Sequence, residues 1–526
     1  MSSRALLHAT AGAAVPAAAG VLLLAALLFG AGSLPSLSPK AQKLGKLAIP
    51  AVFLGGAYLW SRRNTTTTAH GSARWGNPTR LRRPVGLLLG ADRGDVLRAP
   101  ALEGHLLTVA PTGAGKGIGA VLPNLLDYPG SVLVNDPKGE NALVAGAWRA
   151  RELGQRVEIL DPFGLAGGSA AWNPLDLLDP DSPDLASDAM MLAGLLVQRP
   201  AQQGDGAYWD DEAQALLQTL ILLVATSEPD ERRNLGRVRE LLTQPAEKFD
   251  LMLQEMLESP AAAGLLARGA ARILQKHERE RSSVVSTAQR HTHFLDSPRI
   301  AAVLERSTFQ PIELRSDRLS VFLCLPPAQL SEFSRWLRLV IGGTLRALSR
   351  TPHSTAEPTL ILLDECASLG ALEAVSSGIS LLRGYGVRLW TFWQDLAQLR
   401  ATYSHGWETI LANSRFLQAY GTADEFTADY LSKLTGMATV RSTSTSQTAG
   451  STAAAAFAGG SSSTSTATST PEVARRLLTA DEIRRLPPTK ALLFEQGRDP
   501  LRVERLSYLT NPMLRARAGA HPAHGG

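Results

Sequence analysis

Cysteine is nearly absent from this chain. Of 526 residues only Cys324 and Cys366 are cysteines, each inside an apolar run. Two such residues build no disulfide framework, so a packed core must hold the chain and a reducing compartment suits it. A charge excess of one sign is missing too. Lysine and arginine number 53 against 48 acids, a net charge of +5. Spread over this length, that balance points only weakly to nucleic acid or an anionic surface. No repeat of fixed period is evident, which sets aside repeat architectures. The length and a hydrophobic content of 44% instead allow two or three domains of ~100–200 residues.

What is present starts with glycine. Residues Ala110-Pro111-Thr112-Gly113-Ala114-Gly115-Lys116-Gly117 follow the apolar run His105 to Val109 and lead into a helix-like apolar stretch ending at Leu126. Strand, glycine-rich loop and helix is the order a nucleotide phosphate requires. Glycines let successive N–H groups turn inward onto phosphate oxygens, the helix adds the positive end of its dipole, and Lys116 reaches the outer phosphates. Thr112, Gly113, Ala114, Gly115, Lys116 and Gly117 are therefore the candidate nucleotide-binding residues. The loop departs twice from the G-x-x-x-x-G-K-[ST] pattern. Ala110 replaces the first glycine, and Gly117 replaces the hydroxyl residue that ordinarily binds Mg²⁺.

Further apolar runs at 131–136, 156–161, 319–325, 359–364, 387–393, 415–421 and 491–496 read as buried strands, most of them followed by helical stretches. That alternation predicts an α/β fold with a mostly parallel sheet covered on both faces. From 182 to 312 the helical period prevails, which predicts an inserted all-α domain. The nucleotide-binding domain then takes 64–181 and 313–526. Within it, 439–470 is almost entirely Ser, Thr, Ala and Gly. Such a composition buries too little apolar surface to order itself, so a disordered loop is expected there.

Two acids end the run Leu360 to Leu363: Asp364 and Glu365. At a strand end beside a phosphate loop, Asp364 would orient Mg²⁺ through its water shell, and Glu365 would polarise the attacking water. The run 387–393 ends at Gln394, with Gln398 one helical turn further on. Ligands of parallel sheets bind beyond the carboxyl ends of strands, where Gln394 can hydrogen-bond a γ-phosphate or the lytic water.

The amino-terminal segment has a different character. Residues 9–39 carry no charge, and 11–31 are almost wholly apolar. One membrane helix needs ~20 such residues. A second uncharged run, 47–61, is short for a span, but Lys46 and Arg62 could snorkel at its ends and Tyr58 and Trp60 suit an interface. Between Arg62 and Arg98, eight arginines meet only Asp92 and Asp95, which by the positive-inside rule keeps this flank cytoplasmic. The expectation is an anchor over 1–63 with two transmembrane helices, about 11–32 and 46–61. A cleaved signal peptide ending near Gly30-Ala31-Gly32 is the alternative, and it would send a nucleotide-binding protein to a compartment without ATP.

Several stretches in order resemble one family. They are 110–117, Pro-Asn-Leu-Leu at 123–126, Tyr-Pro-Gly-Ser at 128–131, Asp-Pro-Lys-Gly-Glu at 136–140 and Asn-Pro-Leu-Asp at 173–176. Leu-Leu-Asp-Glu at 362–365, Arg-Gly-Tyr-Gly at 383–386, Gln-Asp-Leu-Ala-Gln-Leu at 394–399 and the segment 477–487 complete the series. Together they resemble the type IV coupling proteins of the TraG/VirD class, relatives of FtsK and other RecA-like hexameric motors. The resemblance covers roughly 70–510 and implies a RecA-like domain binding ATP and Mg²⁺ at the interfaces of a homo-hexamer. It makes Gly117 a family trait, with water or Thr112 supplying the missing metal ligand. Arg383 stands at the position resembling the family's arginine finger, so that Glu365, Gln394 and Arg383 form the candidate catalytic set. The implied function is a membrane-anchored ATPase that recruits single-stranded DNA with its relaxase and drives it into a type IV secretion channel. The inner-membrane components of that system would be partners, and the location the bacterial inner membrane, multi-pass, with a cytoplasmic catalytic body. Two alternatives remain open: a coupling protein delivering protein effectors without DNA, and a nucleotide-binding receptor that does not hydrolyse.

Overall fold

The apolar runs meet edge to edge. The computed structural model describes residues 68–522 apart from 101–103, 199–205, 317, 351, 353–356, 377, 405 and 453–460. Its strands are β1 (Leu87–Asp92), β2 (Asp95–Ala99), β3 (His105–Val109), β4 (Val132–Asp136), β5 (Arg156–Leu160), β6 (Leu319–Cys324), β7 (Thr359–Leu363), β8 (Val387–Trp393) and β9 (Ser414–Ala419). After them come β10 (Met437–Arg441), β11 (Ser444–Thr452), β12 (Ser461–Ser469), β13 (Glu472–Arg476), β14 (Lys490–Glu495) and β15 (Leu501–Glu504).

Eleven strands form one sheet in the order β2-β1-β15-β14-β9-β3-β8-β7-β4-β6-β5. The stretch from β9 to β5 is parallel throughout. The four strands β14, β15, β1 and β2 extend it antiparallel on one side. The central strands of the parallel part, β3, β8, β7, β4 and β6, are buried on both faces, as their apolar runs require, whereas the edge strand β5 is buried only at Leu160. In β7, Leu360 and Leu362 pack with Leu122, Leu125 and Phe322 on one face. Ile361 and Leu363 belong to the cluster on the other face, which also takes in Leu192, Leu216 and Leu337. Each such buried side chain contributes about 1.5–3 kcal/mol, so a polar residue at any of these positions would damage one face or the other.

Three strands of the antiparallel side escape the apolar-run reading. β1 and β2 lie in the arginine-rich stretch and β15 is only four residues long, Leu501–Glu504. Its burial alternates, with Leu501 and Val503 inside and Arg502 and Glu504 outside. That is the pattern of an antiparallel strand with one wet face.

Between β5 and β6 every described element is a helix. The principal ones include α1 (Leu185–Leu196), α2 (Ala207–Ser227), α3 (Ala261–Leu274) and α4 (Glu278–Thr292). These helices do not own a separate core. Leu192 of α1 and Leu216 of α2 belong to the same apolar cluster as the sheet residues Ile361 and Leu389.

Two expectations need correction. Within 439–470, expected as a disordered loop, the described residues on either side of 453–460 are largely strand: β10 pairs with β13, and β11 pairs with β12 from Ser444↔Ser469 to Thr452↔Ser461. Cross-strand pairing satisfies the peptide groups without a core, and the β-branched threonines favour the extended chain. The multi-pass membrane location is the second correction. Among the described residues no helix is long and apolar enough to cross a membrane. The runs at 11–32 and 46–61 that suggested the anchor lie outside the described residues.

Candidate functional site

Strand order and register decide what gathers at the carboxyl edge of the sheet. β8 lies between β3 and β7, with Val109 opposite Trp393 and Leu363 opposite Thr391. Continuing that register sets Glu365 level with Trp393, so the phosphate loop, Gln394 and the two acids emerge side by side. Two strand spacings of ~4.8 Å separate the loop from the acids, a gap a lysine side chain can bridge.

Lys116 bridges it. Its Nζ lies 2.8 Å from Asp364 Oδ1 and 2.7 Å from Glu365 Oε2. The other oxygen of Glu365 accepts a hydrogen bond from Gln394 Nε2 at 2.6 Å. Gln394 is braced in turn, its backbone N–H donating to Gln398 Oε1 at 3.1 Å. Asn135, at the end of β4, donates from Nδ2 to the Asp364 carbonyl. Glu365 itself has a left-handed backbone with φ of 55°. That conformation costs a non-glycine residue about 1–2 kcal/mol, and here it accompanies a carboxylate held between Lys116 and Gln394.

The charges are tightly matched. Burial pushes the Asp364 carboxyl above the usual carboxylate range, against the pull of Lys116. Burial acts upward on Glu365 as well, but the hydrogen bond and charge of Lys116, with the Gln394 amide, hold it below its ordinary value. Burial works to lower Lys116, and the two carboxylates more than reverse this. Nearby, buried Asp136 accepts from the Ala142 N–H at 2.9 Å and from Asn141 Nδ2 at 3.1 Å. Burial nevertheless raises Asp136 to about 7 despite the backbone N–H groups of Ala142 and Asn141, and the charges of Asp364 and Glu140 push the same way.

The loop has the form of a phosphate cradle. Gly113 and Gly115 both have φ of 76°, which lets the chain turn without strain, and a helical turn starts at Gly117. Thr112 and Gly113 are exposed, while Ala114 to Gly117 are half-buried. The glycine backbone, Lys116 and the adjoining helical turn fit a nucleotide polyphosphate. For a divalent ion, Asp364 is the near carboxylate. Among the described residues no group of three or more His, Cys, Asp or Glu side chains could hold a metal alone. Mg²⁺ is commonly held by one or two carboxylates with phosphates and water, so this donor set suits it.

Arg383 is elsewhere. It opens the turn Arg383–Tyr385 ahead of β8, whose far end carries Gln394. At ~3.3 Å per residue, the strand puts Arg383 more than about 20 Å from the acids of its own chain. Two contributors had no local signature in the chain. Tyr420 follows β9, and Arg505 follows β15 with its guanidinium 4.0 Å from the centre of the Tyr420 ring.

The sequence family described as Type IV secretory system Conjugative DNA transfer matches residues 73–524. The chain belongs to this family of coupling proteins. Conjugal transfer protein TraG of Escherichia coli is 30% identical over 448 residues, covering 79% of this chain and 68% of that protein. Protein VirD4 of Rhizobium radiobacter is 28% identical over 472 residues, covering 85% of this chain and 65% of that protein. The chain spans 62% to 68% of the length of such relatives. Among solved structures, the unbound coupling protein TrwBdeltaN70 superposes with a TM-score of 0.61 at 16% identity, covering 84% of this chain and 96% of that one. TrwB in complex with ADP and Mg²⁺ gives 0.60 at 17% identity with the same coverage. This likeness establishes a shared coupling-protein fold, with its large, mostly parallel sheet.

Proposed function

We propose that this chain is an ATP-hydrolysing motor of conjugative transfer. The observation that carries the reading is the meeting of Lys116, Asp364, Glu365 and Gln394 at one strand edge beside a glycine-rich loop. In this reading the N–H groups of Thr112 to Gly117 and the Lys116 ammonium hold the phosphates of ATP. Asp364 orients the water shell of Mg²⁺, which supplies charge neutralisation when bound. Glu365 accepts a proton from the attacking water, and Gln394 holds that carboxylate in line. Arg383, too far away to serve its own site, acts in this reading on the nucleotide of a neighbouring copy, within the homo-hexamer that the family resemblance implies. Family membership supports single-stranded DNA with its relaxase as the cargo and the type IV secretion machinery as the partner.

Phosphate release by the full chain, with and without single-stranded DNA, tests this. Turnover that rises with DNA and disappears in Lys116→Ala is the expected result. Equal turnover in the parent and that variant would reject the site. Gly117 favours one second reading, a receptor that binds nucleotide without hydrolysing it, because one metal-binding hydroxyl is missing from the loop. ATP-dependent assembly with no phosphate release would favour that reading.

A further inference from the structure

The phosphate loop is gripped from outside by the end of β15. That strand is antiparallel to β14, and β14 is antiparallel to β9, so β15 runs in the same direction as β3. Arg505 therefore emerges at the edge where the loop lies. Its Nη2 donates to the Ala114 carbonyl, and its Nη1 donates to the Pro488 carbonyl at 2.7 Å. The guanidinium is stacked on Tyr420, and the Arg505 backbone N–H donates to the Thr489 carbonyl at 2.8 Å. Three residues on, the Tyr508 N–H donates to the Ile118 carbonyl at 3.1 Å, so the whole segment is docked on the loop and its helical turn. The grip is close enough to constrain the sequence. A Cβ added at Gly115 would lie 2.9 Å from Arg505 Nη2, and one at Gly119 would lie 3.0 Å from the Leu506 carbonyl oxygen.

The Ala114 carbonyl and the Gly115 N–H belong to one rigid peptide plane and point in opposite directions. Holding the carbonyl outward against Arg505 thus turns the Gly115 N–H toward the inside of the loop. That N–H donates to no protein acceptor among the described residues. We propose that Arg505 is a positioning residue, a latch that aims the Gly115 N–H at a nucleotide phosphate. This rests on the nucleotide-binding reading above. The latch acts on binding, and Glu365 and Gln394 lie on the opposite side of the loop from it, so the chemical step should be spared.

The test uses the full chain and measures ATP binding, turnover, and competition by pyrophosphate and by adenosine. In Arg505→Ala, loss of one well-aimed donor should weaken ATP and pyrophosphate alike by about tenfold. KM should rise with them, while kcat and adenosine competition stay near parental. Arg505→Lys keeps a single donor and should recover part of the loss. If Arg505→Ala fails to fold, Arg505→Lys decides: a raised KM at parental kcat supports the latch, and a parental KM overturns it. ATP binding in a folded Arg505→Ala within twofold of the parent overturns it as well, as does equal weakening of adenosine and pyrophosphate. A parent chain that binds neither ATP nor pyrophosphate would instead remove the nucleotide reading on which the latch depends.

Discussion

Lys116 is already engaged before any phosphate arrives, and Glu365→Gln exploits that. The parental ammonium lies 2.7 Å from one Glu365 oxygen and 2.8 Å from Asp364. At 2.7 Å and an effective dielectric of 20 the gross attraction to Glu365 is ~6 kcal/mol, before desolvation. Side-chain exposures of 18% and 27% leave both groups partly solvated, so the net competition is far smaller, about 1–2 kcal/mol. A bound triphosphate must take Lys116 away from this pair. The amide variant lifts that competition while keeping the size of the side chain and a partner for Gln394. ATP should therefore bind about 5–30-fold more tightly to Glu365→Gln. Turnover should fall by about 10²–10⁴-fold, the usual contribution of a general base. Equilibrium titration with a slowly hydrolysed ATP analogue, beside phosphate release at saturating ATP, measures both quantities. Binding weaker than parental would refute the competition, and turnover within a few-fold of parental would refute Glu365 as the base.

The two loop glycines should respond differently to alanine. Both have φ of 76°, but a Cβ at Gly113 meets nothing within 4 Å, whereas one at Gly115 approaches the Arg505 guanidinium. Gly113→Ala should carry only the backbone penalty of about 1–2 kcal/mol, and Gly115→Ala should weaken ATP binding further; equal affinities would contradict the described packing. Asp136 predicts a pH effect on stability. Because its folded value is raised to about 7, the folded chain holds a proton that the unfolded chain has lost between the ordinary carboxylate range and neutrality. Stability contributed by this group thus declines as pH rises through that window. Asp136→Asn should flatten the decline in urea-unfolding midpoints between about pH 4 and about pH 7, and an unaltered slope would exclude Asp136 as its source.

Much of the central sheet was legible because a strand buried on both faces must be apolar at successive positions. The runs at 105–109 and 387–393 coincide with β3 and β8 for that reason. β2 and β15 escape the pattern because Asp95, Arg98, Arg502 and Glu504 interrupt their apolar positions, and β1 because its apolar run is only Leu87 to Leu89. Composition predicts a loop where β10 to β13 pair, because it reports how much core a segment can build and says nothing about strands that pair without one. At the site, the glycine loop and the Asp364–Glu365 pair were visible as motifs. Arg505 was not, because a single arginine after a four-residue strand has no local pattern to distinguish it.

The chain's own order of residues determined which chemistry was on offer: a lysine on a glycine loop, two acids and a glutamine, each at the end of an apolar run. Local sterics and apolar burial set those features over a few residues at a time. Only the tertiary structure decided that they meet. The order β3-β8-β7 rests on β3 pairing with β8, whose Trp390 lies 284 residues beyond its partner Leu106, and no local pattern specifies that register. The same long-range pairing carried Arg505 to the loop and Arg383 to the opposite end of the sheet.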